Sequence, residues 1–474
     1  MTTLSIGLDR AKKIPLATQI YAAIRAGIES GQIPADAKLP SWRDLAAQLG
    51  VSRGTVRIAY ERLVDEQLAT SFGAAGTRVN GRPATPGIAG HTPAHLPDTS
   101  PIPELFPTFG ATPLPFQMGV PAQDAFPYKL WARVMVRAAR HTAASPVGYP
   151  DPRGDPDLRR EVAAYLGIAR GIRCNPSQVL ITAGFAGALG LVVRALALEG
   201  QGAWFEDPGF PLTRTALSLA GTKVTAIPVD AEGLDVAAGV RMAPDARLAV
   251  VTPGQQAPLG MTMSLARRRA LLDWARDNGA WIVEDDYLSE LQLEGRAAPA
   301  LASLDEGGRV LHVGTFSKTI SPALRLGFLV VPADLARRFG DVAACLAPAP
   351  GATTQRAVAD FLREGHYLRH LRRMKRLYAA RREALLRCLR KEAADVLDVQ
   401  ATAGMAVVTR LRTAASDVDV AARALLAGLA PVPLSPWYMH TPATAGLLLG
   451  VTNVDARRLV ADCRRLAELA AMPK

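Results

Sequence analysis

The chain has 474 residues, 49% of them apolar and 21% charged, with a formal charge of +12. That length holds a small module beside a large core-forming domain, and the composition excludes both a disulfide-stapled miniprotein and a disordered tail. No run approaches the ~20 apolar residues of a membrane helix, and Met1 to Lys13 carries no secretory h-region, so the expected location is the cytoplasm. The excess of basic charge favours polyanionic partners such as nucleic acid. Cys174, Cys345, Cys388 and Cys463 lack metal-ligand spacing, which leaves buried reduced thiols as the reading and no metal site.

In chain order, the first signals are helical. Ile20, Ile24 and Ile28 form an i, i+4, i+8 stripe between Pro15 and Ser30. Ser41 is an N-cap for a second helix through Leu45 to Leu49, ended by Gly50, and Ser52 caps a third, RGTVRIAYERLVDEQ. Two short helices joined by a glycine-bearing turn form a helix-turn-helix, with Arg53, Thr55 and Arg57 at the start of the second helix and Arg43 on the first. Arginine suits bidentate contact with guanine or phosphate. Leu68-Ala69-Thr70 and Gly76 to Val79 then read as the strands of a wing. LPSWRDLAAQLGVSRGTVRIAYERL, within residues 12–79, resembles the winged helix-turn-helix of the GntR superfamily of bacterial regulators. The resemblance places Arg43, Arg53, Thr55 and Arg57 at positions used for contact with double-stranded operator DNA.

Residues 81–112 are rich in proline and small side chains, the composition of a linker. It separates a DNA-binding domain, 1–80, from a domain spanning 113–474. In the latter, QVLIT, GAWFED, RLAVVT, AWIVED, RVLHVG and RLGFLVV alternate with segments of helical period. Such alternation predicts an α/β architecture, a mostly parallel sheet with helices on both faces.

Ligands of open parallel sheets bind beyond the carboxyl ends of the strands, and chemically useful residues collect there. Ala183-Gly184-Phe185 follows QVLIT, Asp285, Asp286 and Tyr287 follow AWIVE, and Thr315, Ser317, Lys318 and Arg325 follow RVLHVG. An amine, a carboxylate, a phenol, hydroxyls and a guanidinium at one sheet edge suit pyridoxal 5′-phosphate. Its aldehyde needs a lysine, its pyridine nitrogen an acid, and its phosphate N–H, hydroxyl and arginine donors.

YPDPRGDPDLRREVAAYL, FEDPGFP, TPGQQAPLG, VEDDYLSEL and GTFSKTISPALRLGFLVVP resemble, in that order, the motifs of fold type I aminotransferases with a smaller C-terminal α+β subdomain. Joined to the GntR-type head, they resemble the MocR group. The resemblance implies that Lys318 carries pyridoxal phosphate as an internal aldimine, that Asp285 pairs with its ring nitrogen, with Asp286 as rival, and that Tyr287 donates to its ring hydroxyl. Phe210 would stack on the ring or serve only as core. Gly184, Phe185, Thr315, Ser317 and Arg325 would hold the phosphate, joined by Tyr149 from the second subunit of a homodimer.

The sequence also departs from the family pattern. No arginine occurs between Arg423 and Arg457, where aminotransferases carry the arginine that binds the substrate α-carboxylate, and the segment reads Gly446 to Gly450 instead. Arg153, Arg214 and Arg410 are the candidate replacements. Ala257 stands in place of a ring-binding asparagine, Gln255 in place of a histidine, and Ala186 in place of a glutamine. These features lead to a regulator sensing pyridoxal phosphate or an amine or amino-acid effector, with little turnover. The alternatives are an active aminotransferase and a cofactor-free repressor. The basic segment Arg363 to Lys391 reads as a solvated helix face over a stripe of Leu368, Leu371, Leu377 and Leu385, a DNA-facing surface being the alternative.

Overall fold

The computed structural model describes residues 6–80, 113–144, 148–293, 298–440 and 443–472. The chain divides into two compact units, Met1–Thr99 and Ser100–Lys474. The segment read as a linker lies outside the described residues.

The first unit packs α1 (Leu16–Glu29), α2 (Trp42–Leu49) and α3 (Arg53–Asp65) around Ile20, Ile24, Leu45, Val56 and Leu63. Both serine caps form as expected. Ser41 Oγ accepts from Asp44 N and Ser52 Oγ from Thr55 N, each at 3.1 Å, satisfying a donor that the first helical turn leaves unpaired. Gly50 closes α2 at φ +61°, a left-handed conformation that an added Cβ would disfavour. The wing is β1 (Ala69–Ser71) paired antiparallel with β2 (Thr77–Val79).

In the second unit, α4 (Tyr128–Ala144) and α5 (Pro156–Ala169) precede an eight-stranded sheet. Its strands are β3 (Val179–Thr182), β4 (Gly202–Asp207), β5 (Lys223–Asp230), β6 (Gly233–Leu234), β7 (Leu248–Val251), β8 (Trp281–Asp286), β9 (Val310–Thr315) and β10 (Gly327–Val330), in the order β3-β10-β9-β8-β7-β4-β5-β6. Each of the six apolar runs read from the sequence is a strand. Only β10 and the two-residue β6 run against the rest. Helix α6 (Gly184–Ala195) follows β3, and α7 (Pro211–Leu219) follows β4. The long helix His366–Glu392 buries Tyr367, Leu371, Met374, Tyr378 and Leu385. Leu368, expected in that stripe, is instead exposed.

A second, antiparallel sheet has the order β11-β12-β14-β13, with β11 (Leu397–Ala403), β12 (Ala406–Leu411), β13 (Val432–Pro433) and β14 (Gly446–Gly450). Among the described residues no helix is long and apolar enough to cross a membrane.

Candidate functional site

Side chains alternate across a strand, so β8 directs Glu284 and Asp286 to one face and Asp285 to the other. On the first face every carboxylate is engaged. Glu284 takes N–H bonds from Leu301 (2.6 Å) and Ala302 (3.0 Å) and lies 2.9 Å from His312 Nδ1. Burial works against its charge, but His312 and those N–H groups hold it below the usual carboxylate range. Asp286 accepts from Arg170 Nε at 2.7 Å, a pair buried on both sides. Asp286, the rival for the ring-nitrogen role, is thus committed to the end of α5.

The opposite face differs. No described residue hydrogen-bonds or ion-pairs with the Asp285 carboxylate, and burial, with the charges of Asp286 and Glu206, pushes it up to about 8. Lys318, beyond β9, exerts the opposing pull. Its own ammonium is brought below the ordinary lysine range by burial and by Arg325, against Asp285. Lys318 Nζ donates to the Gly119 carbonyl at 3.0 Å. Tyr287 lies on the same side, its phenol raised by burial and by the charge of Asp285.

The remaining expected residues sit at neighbouring strand ends. Gly184, buried at φ +74°, opens α6 beneath Arg325, whose Nη2 donates to the Ala183 carbonyl at 3.3 Å; a Cβ on Gly184 would come within 3.7 Å of that guanidinium. Phe185 packs on the large-sheet core. Thr315 Oγ1 accepts from Ser317 N at 3.1 Å. Phe210 opens α7 and tilts against Trp437, ring centroids 5.5 Å apart. Tyr149 is fully exposed in the single chain.

Several contributors were missed in the sequence. The Gly119 carbonyl and Arg170 reach the site from well over a hundred residues away. Glu206, buried and pushed up to about 7 by desolvation, is held by Thr252 Oγ1 at 2.5 Å, and its charge acts on Asp285 and Tyr287. Its adjacency to Asp207 in FEDPGFP was the available signal.

The late strand is apolar, as its sequence reads. Leu448 of β14 joins Ala257, Val408, Leu434 and Trp437 in a cluster that also packs Met118, Phe210, Tyr287 and Tyr438. Of the three substitute arginines, Arg153 is paired with Asp151 (2.8 Å) and Arg410 with Asp398 (3.2 Å). Arg214 forms no ion pair with a described residue, its Nη1 lying 3.4 Å from the Tyr438 carbonyl. Gln255 packs against Gly404, and its buried Oε1 has no partner among the described residues.

In the first unit, Arg43, Arg53 and Arg57 are all exposed, Arg43 over the Trp42 ring and Arg57 at 3.4 Å from Glu61. Thr55 is half-buried and its hydroxyl lies 2.8 Å from Ser52 Oγ, so it also serves the cap.

The helix-turn-helix unit matches the gntR family of bacterial regulatory proteins over residues 16–79, and the second unit matches aminotransferase class I and II over residues 119–435. Among solved structures, an archaeal alanine:glyoxylate aminotransferase is 25% identical with a TM-score of 0.69, covering 76% of this chain and 91% of its own. The α-aminoadipate aminotransferase LysN from Thermus thermophilus, complexed with N-(5′-phosphopyridoxyl)-L-leucine, is 27% identical with a TM-score of 0.67, covering 78% and 97%. The class is therefore a GntR-type head fused to a fold type I aminotransferase body.

The match to curated relatives spans both units. The probable rhizopine catabolism regulatory protein MocR of Rhizobium meliloti is 37% identical, covering 95% of this chain and 93% of that protein. The pyridoxine biosynthesis transcriptional regulator PdxR of Corynebacterium glutamicum is 32% identical, covering 81% and 80%. The chain belongs to the MocR-type family of helix-turn-helix transcriptional regulators with an aminotransferase-like domain.

Proposed function

We propose that this regulator carries pyridoxal phosphate on Lys318 and reports the cofactor, or an amine or amino-acid effector that reacts with it, to the operator. The observation that carries the reading is the partly buried Asp285 carboxylate, which has no hydrogen-bond or ion-pair partner among the described residues and lies within electrostatic reach of Lys318. A partly desolvated acid without an ion-pair partner is disfavoured in its charged form unless a ligand supplies positive charge beside it. A protonated ring nitrogen fits that demand.

When bound, pyridoxal phosphate supplies an aldehyde that condenses with amines. Lys318 would hold it covalently, its ammonium brought below the ordinary lysine range by burial and its Nζ oriented by the Gly119 carbonyl. Asp285 would face the ring nitrogen, Tyr287 would donate to the ring hydroxyl and Phe210 would cover the ring. N–H groups of Gly184 and Phe185 at the start of α6, the Thr315 and Ser317 hydroxyls and Arg325 would hold the phosphate. Tyr149 would add to the phosphate site across a homodimer, which its exposure permits. The late strand Gly446–Gly450, apolar and without an arginine, leaves an α-carboxylate without its usual partner, which favours sensing over rapid transamination.

On the DNA side, Arg43, Arg53 and Arg57, with Thr55 behind them, would meet the major groove and its phosphates. Domains 1–80 and 113–474 would be coupled through 81–112. A ligand that binds one arrangement of the dimer more tightly would shift the population toward it. The test is footprinting of the operator with and without pyridoxal phosphate, using the wild type and Lys318→Ala. A cofactor-dependent footprint lost in the variant supports the reading, and a footprint indifferent to cofactor in both supports a cofactor-free repressor.

A further inference from the structure

We propose that the long helix His366–Glu392 positions the cofactor lysine, with Tyr367 and His370 as positioning residues that hold the turn around Lys318 at Phe316 and Thr319. This rests on the reading of Lys318 as the cofactor lysine. Lys318 lies in a tight turn, closed by Ile320 N and Ser321 N, which donate to the Phe316 carbonyl at 2.8 and 3.2 Å. Phe316 N donates in turn to the Leu326 carbonyl at 3.0 Å, at the entrance to β10. The sheet thus pins one side of the turn, and the long helix takes the other.

Tyr367 and His370 stand three residues apart within that helix and share a face. The Tyr367 hydroxyl donates to Thr319 Oγ1 at 3.2 Å, and its ring lies edge-on to Phe316, centroids 6.0 Å apart. His370 Nε2 lies 2.8 Å from the Thr319 carbonyl. A carbonyl only accepts, so Nε2 carries the proton. Burial keeps the imidazole below the ordinary histidine range, which leaves it neutral and in that one tautomer. The contacts bracket Lys318, one at Phe316 before it and two at Thr319 after it. Edge-on rings fix both side chains, Tyr165 against Tyr367 and Phe126 against His370, each at 5.6 Å.

Packing alone does not ask for these residue types. Tyr367, His370 and Thr319 are all buried, beside Phe361, Leu371 and Met374, where phenylalanine and leucine would fill the space without polar atoms. His370 also leaves a buried Nδ1 without a partner among the described residues, a cost that a space-filling residue would not carry. What the polar pair adds is a directional bond to the residue that follows Lys318.

The test compares the full-length wild type with Tyr367→Phe, which keeps the ring, with His370→Leu, and with His370→Gln, which keeps an N–H donor. Each is loaded with pyridoxal phosphate, and the circular dichroism of the visible band is divided by its absorbance, a ratio that reads how firmly the chromophore is oriented. Tyr367→Phe and His370→Leu should lower this ratio and weaken pyridoxal phosphate binding about threefold or more, and His370→Gln should restore part of both. In the cofactor-free proteins, hydrogen exchange over residues 316–321 should be faster in Tyr367→Phe and His370→Leu than in the wild type. A lower melting temperature with ratio, affinity and exchange unchanged would mean that the pair only packs, and overturns the proposal. Failure of Lys318 as the cofactor lysine looks different: the wild type forms no visible band, and exchange over 316–321 then decides by itself whether the helix holds the turn.

Discussion

The two faces of β8 carry the same chemistry to opposite ends. On one, Glu284 and Asp286 are answered by His312, Arg170 and backbone N–H groups. On the other, Asp285 has no such partner and is pushed toward its neutral form by burial. A buried carboxylate matched within the chain holds the fold together, whereas one left unmatched marks where an outside cation belongs.

Lys318→Ala should have the largest effect on that contrast, abolishing the visible band, the covalent adduct and the cofactor-dependent operator footprint. Next comes Asp286→Ala. It strands the buried Arg170, and chemical denaturation should show a loss of roughly 3–5 kcal/mol. A small loss would mean that the engaged face contributes little to stability.

Asp285→Asn should move the other way in the cofactor-free protein. The folded state keeps the Asp285 proton up to about 8, above the range in which an unfolded aspartate has released it. Stability therefore falls as pH rises through that window and levels off above it. The variant escapes this cost: its melting temperature should equal the wild type's near pH 4 and exceed it above pH 8. It should at the same time bind pyridoxal phosphate more weakly. The smallest effect lies in the head, where Ser52→Ala removes a cap worth ~1 kcal/mol, read as a lower melting temperature.

The head was the more legible half, because its signals are local. Ser41, Gly50 and Ser52 fix helix ends within a few residues of themselves. The buried strands of the large sheet were legible as apolar runs for a similar reason. KVTAIPVD was not, since β5 is only partly buried and carries Pro228, which weakens both the run and the alternation. At the site, strand periodicity separates Asp285 from Asp286 but cannot say which side faces a ligand. That answer depends on Arg170, 116 residues distant, ending α5 beneath Asp286. The contacts at the end of β4 were equally hidden, because Asp207 accepts from Met439 and His440, 232 and 233 residues away in the chain. Conversely, Leu368 was placed in the core by a helical stripe that the fold rotates slightly away.

Borohydride reduction of the protein incubated with pyridoxal phosphate, followed by peptide mass spectrometry, tests the central claim most directly. A single phosphopyridoxyl group on Lys318 is the result expected. No adduct, or one on a different lysine, would contradict the account.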